Sequence, residues 1–117
     1  LILIILNICS NKIFATENKD YMYLSDIPYI TEKSHAADGH TIHKDQNESN
    51  GIITLKINNQ NPSFIKGICA WATAELEYDL KDYNYDYFTS YLGIDISEQN
   101  TYYNTGAKFY IYTSEDG

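Results

Sequence analysis

The stretch Lys66–Asp95, KGICAWATAELEYDLKDYNYDYFTSYLGID, decides the fold. Within it, Glu75-Leu76-Glu77-Tyr78-Asp79-Leu80 alternates acidic and apolar residues without a break, so one face of an extended chain can enter a core while the other stays in water. That pattern predicts a half-buried β-strand. The Tyr-rich turn Lys81-Asp82-Tyr83-Asn84-Tyr85 leads into a second run, Tyr87 to Ile94, in which Phe88, Leu92 and Ile94 share one parity. The second run suits an antiparallel partner.

Working outward, Ile53, Leu55 and Ile57 alternate with Thr54 and Lys56, and Asn58-Asn59-Gln60-Asn61-Pro62 is a turn. No long helical period and no internal repeat occur. Short strands separated by loops rich in Asn, Asp, Ser and Gly predict an all-β sandwich rather than a mixed α/β fold. An apolar content of 44% and 12 tyrosines in 117 residues suit one globular domain. The net charge of −8 argues against nucleic acid, because phosphate binding needs clustered Lys or Arg. Neutral ligands stay open.

Leu1 to Ile8 is apolar apart from Asn7, too short to span a bilayer, and is followed by Asn11, Lys12 and the small Ala15. Residues 1–15 therefore read as an incomplete secretory signal peptide cleaved after Ala15, with 16–20 a short polar leader and 21–117 the domain. The rival reading of the apolar run is a buried N-terminal strand. Lipidation at Cys9 is disfavoured by the bulky Ile8 before it. With Cys9 removed, Cys69 is the one remaining thiol, so no internal disulfide supports the fold.

Acidic residues are plentiful, but a catalytic pair cannot be picked by spacing, and Glu75, Glu77 and Asp79 read as a solvated strand face. No nucleophile elbow or phosphate-cradling Gly-rich loop occurs. His40 and His43 are close enough in sequence to share a metal, with no third close partner to complete a site. Sugar recognition asks for a ring to meet the C–H face of a sugar, flanked by carboxylates, amides and hydroxyls. Trp71, the single tryptophan, lies in the irregular segment before Glu75 and can serve so, or can anchor the loop in the core. Candidate ligand-binding residues are Trp71, His40, His43, Asp95 and Asn104, with Tyr102 and Tyr103 beside the last. Taken singly, each has an ordinary alternative: an exposed histidine, a surface tyrosine, or, for Asp95, a cap on the turn to Ser97. Only convergence of their loops makes a site.

The linear pattern Lys66-Gly67-Ile68, Tyr78-Asp79-Leu80, Tyr85-Asp86-Tyr87-Phe88 and Gly93-Ile94-Asp95 resembles the NPCBM module, a carbohydrate-binding domain grouped with carbohydrate-binding family 51. The resemblance extends to Leu24-Ser25-Asp26-Ile27-Pro28-Tyr29, with Tyr29 at the usual tryptophan, and to Gly39 and Lys44-Asp45 before the Ile52 to Ile57 strand. At the other end, Gly106 to Tyr112 followed by Glu115-Asp116-Gly117 is similar to the family's strand and turn, after which further strands are implied. A jelly-roll β-sandwich of the galactose-binding type, incomplete at its C-terminal end, follows as the expected fold. Trp71 stands where the family usually has His, and Ala74 where it often has Ser.

The resemblance implies a non-catalytic module that binds galactose- or N-acetylgalactosamine-type glycans, carried by a secreted or cell-surface protein and covalently linked to a glycoside hydrolase. The alternative is a protein-interaction or adhesion module with a lost or altered sugar site. A structural calcium ion is also implied, with Asp26, Asp38 and Asp45 available and no spacing that assigns ligands.

Overall fold

The computed structural model describes residues 2–9, 21–98 and 107–114. Its strands are β1 (Ile2–Cys9), β2 (Tyr21–Tyr23), β3 (His43–Lys44), β4 (Ile53–Thr54), β5 (Ser63–Phe64), β6 (Ile68–Ala70) and β7 (Tyr87–Gly93). Every pairing is antiparallel, and the helical turns among the described residues are all of the tight 3-10 kind. The protein is all-β. The seven strands alone do not trace the jelly-roll connectivity. None of the described helices is long and apolar enough to cross a membrane.

Two sheets form. In the larger, β1 pairs along Leu3 to Cys9 with β7, while β6 takes Ile2 to Ile4 and β2 takes Asn7 to Cys9. A strand has two edges, so β6 and β2 share the edge opposite β7. β3 then extends the sheet beyond β6, with His43 opposite Cys69 and Lys44 opposite Ile68. Thus the apolar N-terminal run, read above as a leader, runs through the centre of the sheet. The second sheet is the hairpin β4–β5, closed by Asn58 and Asn59 in the left-handed region. Asn tolerates that conformation well, as the Asn-rich turn signal anticipates.

β6 explains why the core has two compartments. Successive side chains of a strand point to opposite faces, and all three residues of Ile68-Cys69-Ala70 are buried. Cys69 packs with Ile53 of the second sheet and with Leu55 just beyond it, joined by Ile57 and Phe64. Ile68, on the other face, packs with Leu24 and Ile27, joined by Met22, Ile42, Leu76, Tyr78, Tyr83 and Tyr85. The apolar faces predicted for Ile53, Leu55 and Ile57 and for Leu76 and Tyr78 are therefore those observed.

The hairpin expected between Glu75 to Leu80 and Tyr87 to Ile94 does not form among the described residues. The strand expected over residues 75–80 is reduced to a bridge at Glu75: residues 75–77 lie beside the segment 30–35 instead, with reciprocal His35–Glu75 backbone bonds of 2.8 and 2.9 Å and Ile30 donating to the Glu77 carbonyl at 2.8 Å. The connection explains the outcome: Tyr83 and Tyr85 are drawn into the Ile68 compartment, which separates the two runs and leaves β7 to β1. Of the strand that the resemblance implies over Gly106 to Tyr112, the described residues 107–112 are irregular, with Tyr110 stacked on Tyr112 at 6.4 Å.

Three motif fragments that lie far apart in sequence meet at Lys66. Its ammonium binds the Asp26 carboxylate and, at 2.8 Å, Asp45 Oδ2, while Gly67 N–H donates to Asp45 Oδ1 at 3.0 Å. Asp45 N–H returns a bond of 2.8 Å to the Gly67 carbonyl. Lys44, next door, donates to the Ile27 carbonyl at 2.7 Å and lies over the Tyr29 ring. The Asp26 turn, the β3 end and the β6 start are thereby fastened together.

Candidate functional site

Trp71 follows β6 directly, so the buried strand carries it to the rim of the fold. Its carbonyl accepts from Ala37 N–H at 3.2 Å, which ties this loop to the turn Ala37–Gly39. That turn is sharp: Asp38 has φ 51° and Gly39 φ 74°, and His40 N–H closes it on the Ala37 carbonyl at 2.9 Å. Gly39 suits the left-handed position because it has no Cβ to clash. The turn delivers the exposed His40 ring onto the Trp71 indole, centroids 5.0 Å apart and tilted by 38°.

His43 arrives on β3, paired to the residue two before Trp71 in β6. Between the two histidines stands Glu48, which does not stand out in the sequence. His40 Nδ1 lies 3.4 Å from its Oε1 and His43 Nε2 lies 3.1 Å from its Oε2. The second contact is within ion-pair range but lacks hydrogen-bond alignment, and Oε2 is buried with no hydrogen bond. Trp71 is half-buried and its Nε1 also finds no acceptor. An unpaired buried polar atom costs about 1–3 kcal/mol, so a donor and an acceptor in one small cluster mark a place suited to a polar ligand or water.

Asn47 holds Glu48 in place. Buried to 6% exposure, it uses Oδ1 to accept from Ser49 N–H at 3.1 Å and Gly51 N–H at 2.8 Å. Its Nδ2 donates to the Ile52 carbonyl at 3.2 Å and towards Asp95 Oδ1 at 3.4 Å. The side chain thereby replaces backbone ladder bonds through the Asn47–Gly51 loop, as Asx turns do. Behind it, Cys69 is a buried free thiol whose pKa burial pushes up to about 12, with the Asp95 and Glu48 carboxylates adding to the shift.

Of the residues singled out from sequence, the structure brings Trp71, His40 and His43 into one cluster. Asp95 it places elsewhere. Its side chain is 0% exposed, accepting from Thr54 N–H at 2.8 Å and Ser97 N–H at 2.9 Å, with the Ser97 hydroxyl against Oδ1. This is the capping role, supporting the floor beneath Asn47. Asn104, with Tyr102 and Tyr103, lies outside the described residues.

The three aspartates available for calcium do not meet. Asp26 and Asp45 converge, but on the Lys66 ammonium, which already balances their charge, while Asp38 sits in the His40 turn. Among the described residues no three His, Cys, Asp or Glu side chains assemble as a metal cluster. The fit to a resident cation is therefore poor at these positions.

Residues 20–117 match the profile of the family described as the NPCBM/NEW2 domain. No curated protein and no solved structure matches the chain. The match covers most of the sequence, and the chain belongs to the NPCBM/NEW2 family.

Proposed function

We propose that this NPCBM/NEW2 chain is a non-catalytic glycan-binding module whose binding surface is the cluster of Trp71, His40, His43 and Glu48. The observation that carries the reading is the convergence of two rings, a carboxylate and a further imidazole at one rim of the fold. Paired rings offer a surface for the C–H face of a pyranose, and the carboxylate and imidazoles offer acceptors and donors for its hydroxyls. Galactose- and N-acetylgalactosamine-terminated glycans are the ligands proposed. The module sits in a secreted or cell-surface protein and holds a linked glycoside hydrolase near its substrate, where weak binding is amplified by effective concentration. Calcium belongs to the same proposal through ligands other than the Asp26–Asp45 pair.

Trp71 is the sole tryptophan, so its fluorescence reports on the site directly. Titration with galactose, N-acetylgalactosamine and galactose-terminated glycans, with and without calcium, is expected to give a saturable change that is lost in a folded Trp71→Ala variant. A folded protein that gives no change, and is silent on a glycan array, would remove the sugar-binding reading. The rival, a protein-interaction or adhesion module, draws support from the exposed Tyr87, Phe88 and Tyr91 of β7, the last packed on Phe64 at 5.3 Å.

A further inference from the structure

We infer that Glu48 sets the charge class of the ligand: the site takes uncharged sugars that donate hydroxyl hydrogens and rejects acidic ones, such as sialylated or sulfated glycans. The inference rests on the sugar-binding reading above and adds a specificity-determining residue to it.

The Glu48 side chain is 22% exposed although its Oε2 is buried, so the carboxylate is partly desolvated and meets the rim only through the rest of the side chain. An ionised carboxylate only accepts hydrogen bonds, at roughly four lone-pair positions. The two imidazoles supply at most one N–H each, which leaves acceptor capacity that a sugar hydroxyl can fill. A ligand carboxylate or sulfate brings no hydrogen to this position and adds a second negative charge. The chain has a formal net charge of −8, so the long-range field opposes an acidic ligand as well.

Four of the described lysines are held by partners outside the cluster. Lys33 pairs with Glu77, Lys66 with Asp26 and Asp45, and Lys81 with Asp79, while Lys44 donates to the Ile27 carbonyl over Tyr29. All four are committed away from Trp71. Proteins that bind acidic sugars rely on Arg or Lys for bidentate or point-charge contacts, and the sequence has no Arg.

The test compares a neutral β-galactoside with its sialylated and 6-sulfated counterparts, on the wild-type protein and on Glu48→Gln, by Trp71 fluorescence and calorimetry. The wild type is expected to bind the neutral glycan roughly tenfold or more tightly than the acidic ones, with the gap narrowing as salt rises from 0.05 to about 0.5 M. Glu48→Gln keeps size and an acceptor, and is expected to bring acidic and neutral affinities within about threefold. Equal wild-type affinities, or a preference unchanged in a folded Glu48→Gln protein, would overturn the charge filter and leave sugar binding standing. Silence of the wild type towards every glycan would instead overturn the sugar-binding reading together with this inference. The wild-type comparison and its salt dependence decide the matter even if the variant does not fold.

Discussion

Asn47 shows how one side chain sets the geometry of a site it does not enter. Its amide satisfies two backbone N–H groups, one carbonyl and part of the Asp95 carboxylate, all beside Glu48. Asn47→Ala removes all of these at a buried position and is expected to lower stability by about 2 kcal/mol, read as a shifted urea midpoint with unchanged slope. Glycan binding should weaken as well, because the loop no longer fixes Glu48. Gly51 carries the complementary constraint: a Cβ there would lie 3.3 Å from Asn47 Oδ1 and crowd the same amide. Cys69 offers a second residue-scale check. With the thiol buried and its pKa pushed up to about 12, a disulfide exchange reagent at pH 8 should leave Cys69 unmodified in the native protein and label it only after denaturation, as read by peptide mass.

At the scale of elements, the fastening of the Asp26 turn, β3 and β6 through Lys66 makes a pH prediction with a definite sign. Burial by itself would raise the Asp45 pKa, but the Lys66 ammonium and the Gly67 N–H outweigh it and hold the carboxyl below its ordinary value. A depressed folded pKa contributes stability that is present above the unfolded value near 3.9 and is lost as pH falls through the folded one. Thermal melts should therefore show stability declining below about pH 4, and Lys66→Met should remove part of that dependence while costing about 1 kcal/mol at neutral pH, modest because all three side chains are partly exposed.

These elements also show what the sequence made legible. Alternation identified the inward faces of Ile53, Leu55, Leu76 and Tyr78 correctly, because each has a core on one side and water on the other. It could not name strand partners, since partner choice depended on where Tyr83 and Tyr85 were buried, and a Tyr-rich turn carries no period that reveals this. Residues 107–112, where the family resemblance implies a strand, show the same limit, having no ladder partner among the described residues. In the proposed site, the Trp71, His40 and His43 loops were singled out by residue type. Glu48 was not, because its role comes from Asn47 and the loop turn, and a Glu in a polar loop looks like any solvated charge. Asp95 was visible as a turn residue, but its complete burial depends on Asn47 and Thr54, more than 40 positions away.

For the whole molecule, Ile2–Cys9 is the segment on which two readings make opposite demands. Its composition suits a secretory leader, which is removed from the mature protein, and its pairing makes it the strand that joins β7 to β6 and β2. β7 pairs with β1 alone among the described strands, so losing β1 exposes a seven-residue edge that already carries the exposed Tyr87, Phe88 and Tyr91. Such an edge is aggregation-prone. The second sheet and the Lys66 fastening do not involve β1, so the site end should outlast the β7 end. Accordingly, when this sequence is compared with its own residues 21–117, the shorter form is expected to melt lower and to aggregate on heating. Hydrogen exchange should show β7 amides losing protection, together with the β6 and β2 amides that face β1, while the β3-facing side of β6 and the Asn47 loop keep theirs. Equal melting and equal β7 protection in the two forms would show that β1 contributes nothing to the folded state. Intact mass of the protein recovered from its natural host, with or without residues 1–15, then tells which of the two forms the cell uses.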